Sequence, residues 1–185
     1  MGRRALFHKH LLSAWEKTIT LAYGRQLINS ERGLQVFFCK FLLDAFDADG
    51  VARNRRLFVE PRLSLPGPAP EPRYPDIIVC NTQRIVGVVE IKYQPRGRPN
   101  FRKDIETFEW MLRHAADLTI SNDRYLGVAG SAREYPLATD AVFCWAGVYR
   151  GLKAVEIKAR NFPDNRFVAM HAVTVAGHSP RIVRG

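Results

Sequence analysis

The chain has 185 residues, 46% hydrophobic and 25% charged, enough for one domain that buries its own core without needing a second. Its formal net charge is +10, with 21 arginines to 7 lysines, a balance that favours a polyanionic partner because the guanidinium fork suits phosphate, although coding bias and solubility account for the same numbers. No run of eighteen apolar residues occurs, Met1-Gly-Arg-Arg-Ala meets His8, Lys9 and His10 too soon for a signal peptide, and Cys39, Cys80 and Cys144 lie far apart in apolar runs; membrane, exported and disulfide-framework classes are excluded, and a soluble cytoplasmic protein is expected.

Residues 5–24 carry Leu11, Leu12, Trp15, Ile19 and Tyr23 at helical spacing, which predicts an amphipathic helix ended by Gly24. Ser30 suits the cap of a second helix running to about Phe46, with Leu34, Phe38, Phe41 and Ala45 inward. Glu31 falls in its first turn, where the macrodipole favours an acid whatever the function. After turn residues 47–51 comes Arg53-Asn54-Arg55-Arg56, a cluster able to grip phosphates or simply to be solvated. It leads into a strand over 57–63, and Pro61 assigns that end to a sheet edge. Residues 65–75 hold five prolines and read as a long loop between strands.

The stretch 73–92 organises the rest. Apolar runs at 77–80 and 85–91, separated by Asn81-Thr82-Gln83-Arg84, predict a β-hairpin. The second strand is apolar on both faces, hence central and covered. Its period of two sets Val86, Val88, Glu90 and Lys92 on one face and Ile85, Gly87, Val89 and Ile91 on the other. An acid and a base on a covered face require compensation. Asp76, at the mouth of the first strand, shares a face with Ile78 and Cys80. It lies opposite Glu90 if paired residue numbers sum to one even value, which selects a connection of about three residues, Thr82-Gln83-Arg84. Two carboxylates and an ammonium then converge at one end of a sheet, and carboxylates with water oxygens are hard ligands suited to Mg²⁺ or Mn²⁺.

Pro75-Asp76, thirteen residues, then Glu90-Ile91-Lys92 resembles the motif of the PD-(D/E)XK, or restriction-endonuclease-like, nuclease superfamily. With its flanking elements the resemblance covers roughly residues 31–148. Together with the element reading it implies one α/β (α+β) domain over 1–185, a central mixed β-sheet flanked by helices in the order α-α-β-β-β-α-β-β-β. The core would span about 31–148, a sheet extension 149–176 and a loose tail 177–185. The resemblance further implies a metal-dependent phosphodiesterase. Asp76 and Glu90 would hold Mg²⁺ with help from the Ile91 main-chain carbonyl, and Lys92 would orient or activate the attacking water. A glutamate on the first core helix often completes such sites; Glu31 matches that position, with Glu16 as the alternative. Metal ions lower the pKa of water and neutralise charge building on phosphoryl oxygens, so the chemistry agrees.

The basic loop 93–100 leaves the same strand end, which makes Arg96 and Arg98 candidates to flank a scissile phosphate. Asn100 is expected to cap a third helix ending near Ile120, with Phe101, Ile105, Phe108, Leu112 and Ala115 inward and Lys103, Asp104 and Glu106 in solvated ion pairs. Strands over 140–149, 152–159 and 166–175, joined by hairpin-type turns, extend the sheet, and His171 and His178 read as sheet and tail residues. Asp140, fifteen residues, then Glu156-Ile157-Lys158 also satisfies the loose motif. It lacks the preceding proline and the following helix, so Glu156 and Lys158 read better as a solvent-facing pair.

Three functions fit these residues. The first is a metal-dependent nuclease, acting on DNA before RNA, with Asp76, Glu90 and Lys92 as its catalytic set. The second is a catalytically inactive nucleic-acid-binding module on the same scaffold. The third is a basic α/β interaction protein in which the acids and the lysine merely pair, although buried pairs of that kind are at best neutral against apolar packing. A homodimer is one route to cutting both strands, but no self-complementary surface is legible.

Overall fold

The protein is described by a computed structural model over residues 2–66, 72–122, 133–157, 162 and 166–184. The chain opens with two helices, α1 (Arg3–Lys17) and α2 (Glu31–Ala48). Ser30 caps α2 as its residue type demands, its hydroxyl accepting the Gly33 N–H at 3.1 Å. Leu34, Phe38, Phe41 and Ala45 are buried along that helix. The first helix does not run on as a regular α-helix to Gly24. Residues Thr18–Tyr23 widen into a π-helical turn, where the Thr18 and Thr20 hydroxyls donate to the Ala14 and Glu16 carbonyls at 2.7 Å. Such back-bonding bends a helix.

Seven strands follow among the described residues: β1 (Arg56–Val59), β2 (Ile77–Cys80), β3 (Ile85–Gln94), β4 (Thr119–Ser121), β5 (Glu134–Arg150), β6 (Phe167–Thr174) and β7 (Arg181–Arg184). A third helix, α3 (Arg102–Arg113), lies between β3 and β4. The α/β sheet is mixed, ordered β1-β2-β3-β5-β6-β7, with β4 paired to β5 off this path. β1, β2 and β3 form an antiparallel meander, β3, β5 and β6 run parallel, and β7 returns antiparallel on β6. One face packs Ile77, Val79, Val89 and Ile91 against Leu11, Trp15, Leu34 and Phe38 of α1 and α2. The other packs Ile78, Val88 and Phe143 with Ile105, Phe108 and Met111 of α3. Each such fully buried side chain contributes roughly 1.5–3 kcal/mol. Cys80 and Cys144 are buried, as their apolar surroundings in sequence suggest, and burial pushes the half-buried Cys39 thiol up to about 11.

Several elements differ from the sequence expectation, and the element order gains a strand. β1 stops at Val59 because Glu60 turns to φ 47° ahead of Pro61, though β1 does form the sheet edge. The third helix ends at Arg113, and Asn100 accepts only the Arg102 N–H at 3.3 Å. The β-branched Thr119 and Ile120 pair instead with Pro136 and Tyr135. No strand spans 152–157, while 158 and 159 lie outside the described residues, as do most of the expected turn at 161–165 and the middle of the proline-rich loop. β5 and β6 are parallel, so their link is a crossover and not a pair of hairpins. The tail is not wholly loose, since Arg181–Arg184 pairs with Met170–Val173.

Register in the hairpin carries the site. Ile77 faces Val89 and Ile78 faces Val88, which sets Asp76 opposite Glu90 as the even-sum pairing requires. The expected three-residue connection is not how this is achieved. Asn81 N–H donates to the Arg84 carbonyl at 2.9 Å and its side chain accepts from Gln83 and Arg84 N–H, closing a tight turn. A β-bulge then leaves Val86 unpaired between Ile85, opposite Cys80, and Gly87, opposite Val79. The extra residue restores the register and exchanges the faces of positions 85 and 86: Ile85 packs with Val88, and Val86 packs with Val89 and Ile91.

Candidate active site

The Asp76 main-chain carbonyl accepts Glu60 N–H from the β1 side and Gln35 Nε2 from α2, both at 2.9 Å, which anchors the start of β2 to two elements. Its carboxylate reaches across to β3, where Oδ2 accepts the Ile91 N–H at 2.6 Å. A residue in a strand directs its N–H and C=O to the same edge, so the Ile91 carbonyl faces the Asp76 side as well. Glu90, only 7% exposed, stands opposite Asp76 in the register, and each carboxyl influences the other's protonation. Burial, and then the neighbouring charges of Asp76 and Asp104, pushes the Glu90 carboxyl well above its ordinary range. Burial raises Asp76 too, against the opposing Ile91 N–H.

Lys92 lies two residues on along the same face. Burial pulls its ammonium down, but Asp104, Glu31 and Asp76 together outweigh that and raise its pKa. Its nearest partner is neither motif acid. Lys92 Nζ is 3.2 Å from Asp104 Oδ1 on α3, and Trp145 Nε1 donates to the other Asp104 oxygen at 3.0 Å. The expectation of a solvated Asp104 is therefore corrected: it is 5% exposed and belongs to the cluster. The signal was present, since Asp104 stands four residues before Phe108 and seven before Met111, on the helix stripe that packs against the sheet.

Glu31 lies beside this group. Its Oε2 accepts the Tyr93 N–H at 3.0 Å, and its charge raises the pKa of Asp76. Glu16, the alternative, is exposed and pairs with Arg184 on β7 at 3.6 Å. The cluster thus sets four acids, Glu31, Asp76, Glu90 and Asp104, against one base, Lys92, a surplus of three negative charges when all are ionised. That is the opposite sign to the +10 chain around it. Among the described residues no group of three His, Cys, Asp or Glu side chains is gathered tightly enough to hold a metal by itself. A hard cation here would rest on Asp76 and Glu90, with the Ile91 carbonyl and water as the remaining oxygens.

Arg96 and Arg98 are exposed, on a loop tied to the sheet rather than free of it. Thr174 Oγ1 donates to the Pro95 and Tyr149 carbonyls at 3.0 and 3.1 Å, and Arg150 N–H donates to Gly97 O at 2.9 Å. With Arg150, which sequence reasoning missed, these arginines line a cavity of about 450 Å³ at the carboxyl ends of the parallel strands. Arg53, Arg55 and Arg56 are not brought there; Arg56 lies opposite Cys80, at the hairpin end of the sheet. The rival motif is not assembled, since Asp140 is exposed where the β3–β5 ladder opens between Leu137 and Val142, Glu156 is exposed beyond the end of β5, and Lys158 lies outside the described residues. His171 is a buried sheet residue as expected, and among the described residues no helix is long and apolar enough to cross a membrane. No family model matches the chain, and neither a curated protein nor a solved structure matches it.

Proposed function

We propose that the protein is a metal-dependent nuclease of the restriction-endonuclease-like kind, hydrolysing phosphodiester bonds, DNA before RNA. The observation that carries this reading is the Asp76–Glu90 pair, set opposite one another across two antiparallel strands beside the half-buried Lys92. Crowded carboxyls whose pKa values burial has raised are stabilised in their charged form by a cation, and the donors here are hard oxygens. Mg²⁺ or Mn²⁺ bound there supplies Lewis acidity toward the phosphoryl oxygens and lowers the pKa of water. Asp76 and Glu90 hold and orient it, with the Ile91 carbonyl on the same edge and Glu31 adjacent. Lys92, kept charged by Asp104, sets an ammonium beside the attacking water. Arg96 and Arg98 on the tied loop, with Arg150 at the end of β5, grip the flanking phosphates.

Cleavage of plasmid and single-stranded DNA with Mg²⁺ or Mn²⁺ tests this. Wild type cuts, EDTA stops it, and Glu90→Gln loses about a hundredfold or more, the scale of removing a group that acts on the transition state. Absence of metal-dependent cutting by wild type, or full activity in Glu90→Gln, sinks the assignment. The observation favouring a second reading is that Asp104, not the motif acids, takes Lys92 as its nearest partner. DNA binding that survives EDTA without cutting would identify an inactive binding module.

A further inference from the structure

The hairpin end of the sheet holds a second constellation that the nuclease reading does not use. There the β3–β5 ladder opens: Ile85 pairs with Leu137 and Gly87 with Val142, so Val86 alone stands against residues 138–141. Paired bulges of this kind forgo ladder bonds and recur beside binding sites. The Ala141 carbonyl set loose by the opening accepts from Arg166 Nε at 3.0 Å. What results is a cavity of about 640 Å³ between the start of α1, the segment before β1, the hairpin turn and β5.

Its lining is divided by chemistry. Arg4, Arg55 and Arg84 come from three separate elements, while Leu6, Val51 and Val86 present half-buried apolar surface and Phe7 and Val142 are almost fully buried. The wall is rigid at Phe7, whose ring lies so close over Gly87 that a Cβ there would be 2.2 Å away. Arg55 is oriented by the Phe46 ring, 5.9 Å from its guanidinium carbon. The single acid of the lining is Asp140, exposed at the rim. Guanidinium groups from three elements suit an anionic group, the half-buried apolar surface a flat or aliphatic body, and the carboxylate a hydroxyl or amine. The volume is that of a small-molecule site, not of a duplex backbone, which is convex.

We propose that this cavity binds a nucleoside phosphate, its phosphates on Arg4, Arg55 and Arg84 and its base on the apolar surface of Leu6, Val51 and Val86. Val86 lies four strand positions, about 13 Å, and Arg84 six, about 20 Å, from Glu90 by strand rise, so the site stands or falls independently of the nuclease reading. The test is calorimetric titration of the full chain with ADP in EDTA, which removes any metal-bridged binding at Asp76 and Glu90. ADP binds saturably, adenosine binds more weakly, and Arg84→Ala or Arg4→Ala weakens ADP about tenfold or more, the scale of one charge-assisted hydrogen bond. Asp76→Asn leaves ADP affinity unchanged. Arg84 is exposed on a turn, and circular dichroism confirms that its variant folds. The proposal is overturned if wild type does not bind ADP at millimolar concentration, if adenosine binds as well, or if both arginine variants bind like wild type. An oligonucleotide that binds through Arg84 where ADP does not would assign these arginines to nucleic-acid backbone instead.

Discussion

Lys92 keeps its charge through a chain of single residues. Gly147, Trp145 and Asp104 act in series: a Cβ at Gly147 would stand 2.2 Å from the Trp145 ring, so only glycine lets the indole lie along β5 and donate to Asp104. Gly147→Ala should therefore destabilise the protein by about 1–3 kcal/mol, the range for overpacking a filled core. Urea unfolding measures it, and an unchanged midpoint would show that the indole moves aside freely. His171 offers a second residue-scale test. Val155 N–H donates to the Tyr149 hydroxyl, which is left to give its own proton to His171 Nδ1, and burial holds the ring's pKa down at about 4 against an ordinary 6.5. The unfolded chain takes up this proton first as pH falls. The contribution of His171 is therefore fully present above pH 6.5 and is lost toward pH 4, at up to about 1.4 kcal/mol per pH unit. The raised carboxyls of Asp76, Glu90 and Asp104 act in the opposite sense. Comparing wild type with His171→Gln at neutral pH and near pH 5 isolates the histidine term; equal acid sensitivity in the two would refute it.

Among the elements, β3 shows how far local pattern reaches. The apposition of Asp76 and Glu90 was legible because it needs only the period of two and the parity of one hairpin. The bulge at Val86 was not, since Val86 and Ile85 are both apolar and either suits a covered face. Asp104 escaped because the α3 stripe, when phased on Phe101 and Leu112, puts it outside; Ile105, Phe108 and Met111 set the true phase. Gly151 and Pro163-Asp164 punctuate a crossover as readily as a hairpin, so β5 and β6 were expected to be antiparallel neighbours of a third strand. β7 was hidden in a short polar tail, yet it covers the β6 edge and its Ile182 packs on the α1 side of the core. Removing residues 177–185 should lower the thermal midpoint by several degrees. A truncated chain melting with wild type would show that the pairing contributes nothing.

Taken whole, the molecule sorts charge along one sheet. Acids gather around the carboxyl end of β3, Arg96, Arg98 and Arg150 line a cavity at the carboxyl ends of the parallel strands, and Arg4, Arg55 and Arg84 collect at the hairpin end. Composition gave the sum of these charges and could not give their division, because Arg84 and Arg150 are isolated in sequence and meet other arginines only through tertiary structure. The parallel junction of β3 with β5 has a further consequence for biogenesis. Val89 and Cys144 are joined across more than fifty positions, so no tight turn can nucleate the centre of the sheet, and its closure is a slow step of folding. Until β5 arrives, the apolar margin of β3 stands unpaired, and a nascent or overexpressed chain is most prone to self-association there.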